Sequence, residues 1–188
     1  MAIAVFTKIE IYLNSLLNGI IMAQSYSTTL QSYPLDKKKI VKKTISGIFI
    51  WALLFLFVVL PLQFFVYINF KIIFIILDFI FLLIFVIEPI YQNQYYKKYF
   101  YDVRPDFLMI TKGVIMVREA ILNYDKIQDV YMDQDILDRI FGLWDVHVST
   151  ATSMSGAEAH IDGVNHDNAM AIRELILLKI RNSKQRNG

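Results

Sequence analysis

The chain has 188 residues, 56% hydrophobic and 14% aromatic, with a formal net charge of +2 and no cysteine. Soluble domains hold about 45–50% apolar residues, so this chain carries an apolar excess that has to be lodged in particular segments. The missing cysteine excludes a disulfide framework and thiolate chemistry, and it fits a domain facing a reducing compartment. The charge is segregated. Residues 1–43 hold six Lys against two acidic residues, residues 101–164 hold five basic against eleven acidic, and residues 165–188 hold five basic against two acidic. Basic charge sits ahead of the apolar segments and at the end of the sequence, while the middle of the polar portion is acidic.

In chain order, residues 3–24 read as an amphipathic helix, with Ile9, Leu13, Leu16, Leu17, Ile20 and Ile21 recurring at helical spacing. Lys8 and Glu10 argue against a membrane span there, and no signal-peptide pattern is present. Such a helix either packs on the polar domain or a second copy, or lies in the plane of a bilayer interface; the interfacial reading is preferred. Ser25 to Pro34 reads as a polar linker, so residues 1–34 form an arm.

Two apolar runs follow, Ile48 to Tyr67 and Ile72 to Tyr91, with almost nothing between them. A helix of roughly 20 residues crosses about 30 Å of hydrocarbon. Residues 35–98 are therefore expected to form a transmembrane hairpin, with spans at about 46–68 and 71–91. Lys37, Lys38, Lys39, Lys42 and Lys43 precede it, Lys97 and Lys98 follow it, and only Lys71 lies in the turn. Lys and Arg near span ends favour the cytoplasm, which predicts cytoplasmic termini and an external turn. Asp78 is the one ionisable group well inside a span, and such a group is a functional hypothesis by default. Folding the hairpin at Asn69-Phe70 sets Asp78 opposite Pro61 to Gln63, so Gln63 can bond it. Packing glue is preferred over an ion or proton relay, because one carboxylate in two helices builds no pathway.

From Tyr99 the pattern changes to short strands. Tyr99–Val103, then Phe107–Ile110 and Val114–Leu122 around a Thr111-Lys112-Gly113 turn, then Asp125–Met132, Trp144–Thr150 and Glu158–Val164 are the expected strands. Thr152–Gly156 is an expected loop, and Asn165 caps a final helix to about Asn182. Residues 99–182 thus form one mainly β domain, and residues 183–188 a basic tail.

Three strings stand out here. They are Asp106-x-Leu108-x-Ile110-x-x-Gly113, Tyr124-x-Lys126-Ile127-Gln128-x-Val130, and Gln134-x-x-Leu137-x-Arg139-x-Phe141-Gly142-Leu143. With Val146-x-Val148-x-Thr150-Ala151 and Ala159-x-Ile161-x-Gly163-Val164, they resemble the bacterial PH domain of YdbS/YdbT-like membrane proteins. The resemblance spans about Tyr99 to Leu178, and the preceding hairpin matches that family's layout. It implies a PH-like fold of two antiparallel sheets forming a small barrel, capped by a C-terminal helix. It implies no enzymatic activity. Read physically, the signature is structural: Leu137, Phe141 and Leu143 anchor a short helical turn, Gly142 lets the chain leave it, and Gln128, Gln134 and Arg139 satisfy carbonyls.

His147, His160 and His166 lack the close spacing of a metal motif, and no phosphate loop, nucleophile elbow or dinucleotide turn is present. No cofactor, metal, nucleic acid or small-molecule substrate is expected. Lys112, Arg118 and Lys126 are too scattered, in too acidic a domain, to read an anionic headgroup. The sequence reads as a prokaryotic inner-membrane scaffold or interaction protein in envelope maintenance, contacting the bilayer and a protein partner or second copy. The runner-up is a subunit of a small transport or export assembly using Asp78.

Overall fold

A computed structural model of the chain describes the backbone of residues 27–150 and 159–187, and the side chains of these apart from 65–70 and 187. The amphipathic stretch at 3–24 and the loop Thr152–Gly156 lie outside the described residues. The chain forms two units: Lys37–Lys97, and the residues flanking it, up to Asp36 and from Lys98 onward.

The flanking residues form the polar unit, and it begins before the hairpin. The stretch read as a linker contains a short helix, α1 (Thr28–Ser32), capped by Ser27, whose Oγ accepts the Leu30 N–H at 3.0 Å. Sequence periodicity misses it because five residues are too few to show a helical stripe. What holds it is the edge of the first strand. The Ser27 hydroxyl is 3.0 Å from the Tyr101 carbonyl and 3.1 Å from Asp102 Oδ1, and the Val103 N–H donates to Thr29 Oγ1 at 3.1 Å. The Tyr101 hydroxyl donates to the Tyr33 carbonyl. Polar groups left open on an edge strand are thereby satisfied by side chains from another part of the sequence.

The Lys37–Lys97 unit is helical. Helix α2 (Lys38–Leu54) passes through a wider π-turn, Phe55–Val59, into α3 (Leu60–Lys98). Pro61 has no N–H to give the carbonyl four residues back, and the widened turn just before it shifts the bonding so that Leu60 N–H reaches Phe55 O. The chain reverses within α3. Gln63 and Asp78 would be about 22 Å apart on a straight helix, yet Gln63 Nε2 lies 2.6 Å from Asp78 Oδ1. Phe81 meets Trp51 and Phe55 edge to face at 6.2 and 5.1 Å. Gly47 leaves room for the Glu88 carboxylate of the other arm, which a Cβ there would meet. Lys38–Phe64 and Lys71–Lys98 are long and apolar enough to cross a membrane. Their apolar side chains are largely uncovered, with Phe57 at 70%, Phe64 at 85% and Ile72 at 75% exposure.

In the polar unit, β1 (Phe100–Val103), β2 (Phe107–Lys112) and β3 (Arg118–Asn123) form one antiparallel sheet in that order. β4 (Ile127–Asp133), β5 (Trp144–Thr150) and β6 (Ala159–Val164) form a second. No strand is shared between the sheets among the described residues, so the expected barrel is two open sheets. They are linked by side chains: the Tyr99 hydroxyl donates to the His160 carbonyl at 2.8 Å, and Lys112 pairs with Asp162 at 3.6 Å. Val114–Val117, expected to open β3, is instead loop. Lys112 pairs directly with Arg118, and Gly113, at φ 117°, begins the five-residue connection.

Helix α4 (Ile136–Phe141) separates β4 from β5, and α5 (His166–Asn187) follows β6. Asn165 caps α5 through Oδ1, which accepts the Asn168 N–H at 2.8 Å. Ala169, Ile172 and Ile176 are fully buried on the face that packs against β4 and β5. The core of the unit also holds Tyr99, Phe100, Leu108, Tyr124, Leu143, Val146 and Ile161.

Two outcomes test this architecture. Ser27→Ala removes an N-cap and a long-range bond together, and is expected to cost about 1–3 kcal/mol in urea unfolding of the full chain; an unchanged midpoint would show that α1 docks without it. Burial, with Tyr33 adding to it, raises the Tyr101 phenol far above its usual range; burial, then Asp102 and Asp106, does the same for Tyr124. Both rings bind protons more tightly folded than unfolded. Their contribution is therefore constant below about pH 10 and is lost as pH rises beyond it. Tyr101→Phe should flatten that alkaline decline.

Candidate functional site: a histidine and carboxylate row on the second sheet

The second sheet owes its side-chain arrangement to two irregularities. Between Ile127 and Asp129 the register with β5 slips by one, leaving Gln128 as the extra residue. Ile127 and Val130, three apart, would face opposite ways in a regular strand, yet both are buried, at 5% and 4%. The bulge resets the phase so that both point inward. This is what the Lys126-Ile127-Gln128-x-Val130 string encodes. A second slip, between Trp144 and Val146, falls opposite Asp162-Gly163 on β6. Gly163 takes φ 77° there, and its N–H donates to Asp145 Oδ1 at 2.7 Å.

These registers line up the outward face. Tyr131 pairs with His147 and His147 with His160 across three strands. The rings stack: Tyr131 on His147 at 4.9 Å and 5°, His147 on His160 at 5.4 Å and 16°. Asp133 Oδ1 lies 3.0 Å from His147 Nε2. Beyond His160 the row continues to Asp162, 4.0 Å from its Nε2, and to Lys112, whose ammonium sits 5.1 Å from the Tyr99 ring centroid. Asp162 is 3% exposed, and a buried carboxylate of this kind requires its cation. His166 stands apart, edge-on to Trp144 at 5.0 Å.

Asp133, Asp145 and His147 can offer one donor atom each within 4.8 Å of one another. Strand pairing brings them together, which sequence spacing does not reveal, since Asp133 and Asp145 are direct cross-strand partners. The set has the chemistry of a mixed oxygen and nitrogen cation site. The same residues are also engaged within the protein. Asp133 holds the His147 ring, and Asp145 holds the bulge at Gly163.

The signature residues are placed as follows. Leu143 is fully buried, while Leu137 and Phe141 are half-buried. Asp135 and Asp138 form a reciprocal capping box at the start of α4, and Gly142 ends it in the left-handed conformation at φ 68°. Gln134 Nε2 donates to the Leu143 carbonyl at 2.6 Å, closing the loop that α4 spans. Gln128 and Arg139 are exposed and bond no carbonyl among the described residues; Lys126 is exposed and pairs with Asp125 at 3.5 Å. Of the span-flanking lysines, Lys37, Lys38 and Lys97 are exposed and Lys43 half-buried. Lys39 and Lys42 are buried, with the Lys39 ammonium 5.9 Å from the Tyr95 ring. Lys98 Nζ donates to the Val114 carbonyl at 3.3 Å.

The family model described as Bacterial PH domain matches residues 27–180. The chain belongs to the bacterial PH domain family. The match starts at Ser27, where the described polar unit starts, and so takes in α1 and both long helices as well as the two sheets. No curated protein and no solved structure matches this bacterial PH domain chain. The family is typically non-catalytic and points to an interaction module.

The engaged state of Asp133, Asp145 and His147 leads to a prediction. Zinc or a chelator added to the purified full chain should leave its thermal midpoint unchanged. A saturable upward shift with zinc, lost in Asp133→Asn, would make this trio a metal site instead.

Proposed function

We propose that this chain is a membrane-anchored, non-catalytic interaction or scaffold module of a prokaryotic inner membrane, serving envelope maintenance. Its PH-like domain and both termini face the cytoplasm. The observation that carries this reading is the insertion of the apolar hairpin into the domain. Residues Ser27–Asp36 and the strands after Lys98 belong to one unit, so the excursion from Lys37 to Lys97 starts and ends at one place. A domain cannot be assembled through a bilayer, so an excursion that enters it must return to the same side. Lysine flanks on both sides of the hairpin, with Lys71 alone in the turn, supply the orientation. The uncovered apolar surface of both helices supports a lipid surrounding, since a core helix of a soluble protein would be mostly buried.

Asp78 fits the scaffold reading better than the transport one. Its carboxylate bonds Gln63 on the other arm, which is a packing role. It is exposed on the hairpin surface. An exposed ionisable group at membrane depth calls for cover by another protein surface, and a second copy of the hairpin is the proposed one. The lysines at 37, 38, 43, 97 and 98 serve anchoring and topology, while Lys39 and Lys42 are buried.

Reporters fused at the N-terminus and after Gly188 should both register cytoplasm, and one inserted at Asn69 the opposite side; an external signal from either terminus would overturn the topology. Asp78→Asn, which keeps a donor and an acceptor, should preserve association of full-length chains in detergent. Asp78→Leu should weaken it by about 0.6–2 kcal/mol. Should the Asn variant remain folded and abundant yet lose a cellular phenotype, the charge itself is needed, and the transport reading replaces this one.

A further inference from the structure

We propose that the loop between β2 and β3, Gly113–Val117, is a second membrane contact, with Ile115 and Met116 entering the boundary between headgroups and acyl chains. The inference rests on the anchored reading above and adds a surface to it.

Among the described residues of the polar unit, the loop carries the most exposed large apolar side chain. Ile115 is 90% exposed, Met116 75% and Val117 39%. Gly113 sits at φ 117° with the Met116 carbonyl folded over it, so close that a Cβ on Gly113 would lie 1.9 Å from that oxygen. The curl leaves Ile115 and Met116 as the tip. Lys112 ends the strand before the tip and Arg118 begins the strand after it. An apolar tip with Arg118 beside it has the chemistry of an interfacial anchor.

Its position decides what it meets. Lys98 is the last residue of α3, and its Nζ bonds the Val114 carbonyl at 3.3 Å. The length of one lysine side chain then sets Ile115 at most roughly 12 Å from the backbone of Lys98, the residue at which the chain re-enters the unit. The other crossing point is held at the same end of the unit. The Asp36 N–H donates to the Gly163 carbonyl at 2.9 Å, and Asp162, next to Gly163, pairs with Lys112 at the base of the loop. Lys98, where the chain returns, is thus bonded to the loop itself, and Asp36, where it leaves, is bonded to β6, whose Asp162 pairs with Lys112 at the base of the loop. Ile136 and Ile140 are also exposed, at 81% and 69%, but sit on α4 with no such tie to a crossing point. The unit's acidic balance argues that the contact is made by apolar insertion, with Lys98 and Arg118 only at its edge.

The chain has no cysteine, so one introduced cysteine carries a nitroxide at a known place. Full-length Ile115→Cys and Met116→Cys, labelled and reconstituted in phosphatidylethanolamine and phosphatidylglycerol vesicles, are compared with Asp167→Cys, whose side chain is fully exposed, and with Ile76→Cys in the second candidate span. Collision with oxygen reports lipid, and collision with a water-soluble nickel complex reports water. Labels at 115 and 116 should favour oxygen several-fold more than the label at 167, and should do so equally at low and high salt. A loop label as open to nickel as the one at 167, with the label at 76 in lipid, overturns the loop contact and leaves the anchored reading standing. Water at both 76 and 115 overturns both. A loop label shielded from both reagents, with spin–spin broadening between copies, assigns the tip to a second chain and overturns the proposal.

Discussion

The bonds between Ser27, Thr29 and strand β1 join residues 74 apart in sequence. Everything between them, including two helices of membrane-spanning length, is consequently an insertion into a folded unit. A hairpin that merely preceded a domain could leave it on a free linker. One that interrupts a domain leaves it and rejoins it. Within the polar unit, Asp36 N–H donates to the Gly163 carbonyl just before the hairpin, and Lys98 Nζ to the Val114 carbonyl just after it. The cost of ordering α1 is offset by the edge-strand groups it satisfies, which would otherwise be left to water or to another chain.

The second sheet shows a different economy. One extra residue in β4 and one slip in β6 turn two otherwise regular strands into a surface with buried aliphatics inside and a row of rings and carboxylates outside. Ile127 and Val130 face inward together because of the first bulge. Asp145 is spent on the second, holding Gly163. Side chains that look like a reactive cluster are therefore also parts of the sheet's construction. Tyr131, His147 and His160 cover one another by stacking, and the row is closed at its far end by the buried Asp162 with Lys112. Such a surface is in keeping with the interaction module that the bacterial PH domain family points to.

The charge pattern fits that reading. Acidic residues crowd the polar unit, while lysines flank the hairpin. The resulting field is negative across much of the polar unit and positive at the segments next to the helices. Lys39 and Lys42 are exceptions among the flanking lysines, being buried rather than displayed.

Much of this protein was legible from residue order because the features concerned are local. Runs of twenty apolar residues, alternation in Trp144–Thr150, the Asn165 cap and the glycine that ends α4 each depend on neighbours within a turn or two. The strings around Lys126–Val130 and Gln134–Leu143 carried the family as well. Other features depend on partners far along the chain, and these only the tertiary structure decided. Thr28–Ser32 is too short and polar to announce a helix, and exists because β1 has an open edge. Val114–Val117 is apolar enough to pass for strand, and is loop because Lys112 pairs directly with Arg118. Asp133 and Asp145 meet across two strands, and the sheets stay open because β1–β3 and β4–β6 are joined by side chains rather than by a shared ladder. Sequence fixes which segments can be helix, strand or span; which of them touch is set by burial and hydrogen bonding between segments that no local pattern records.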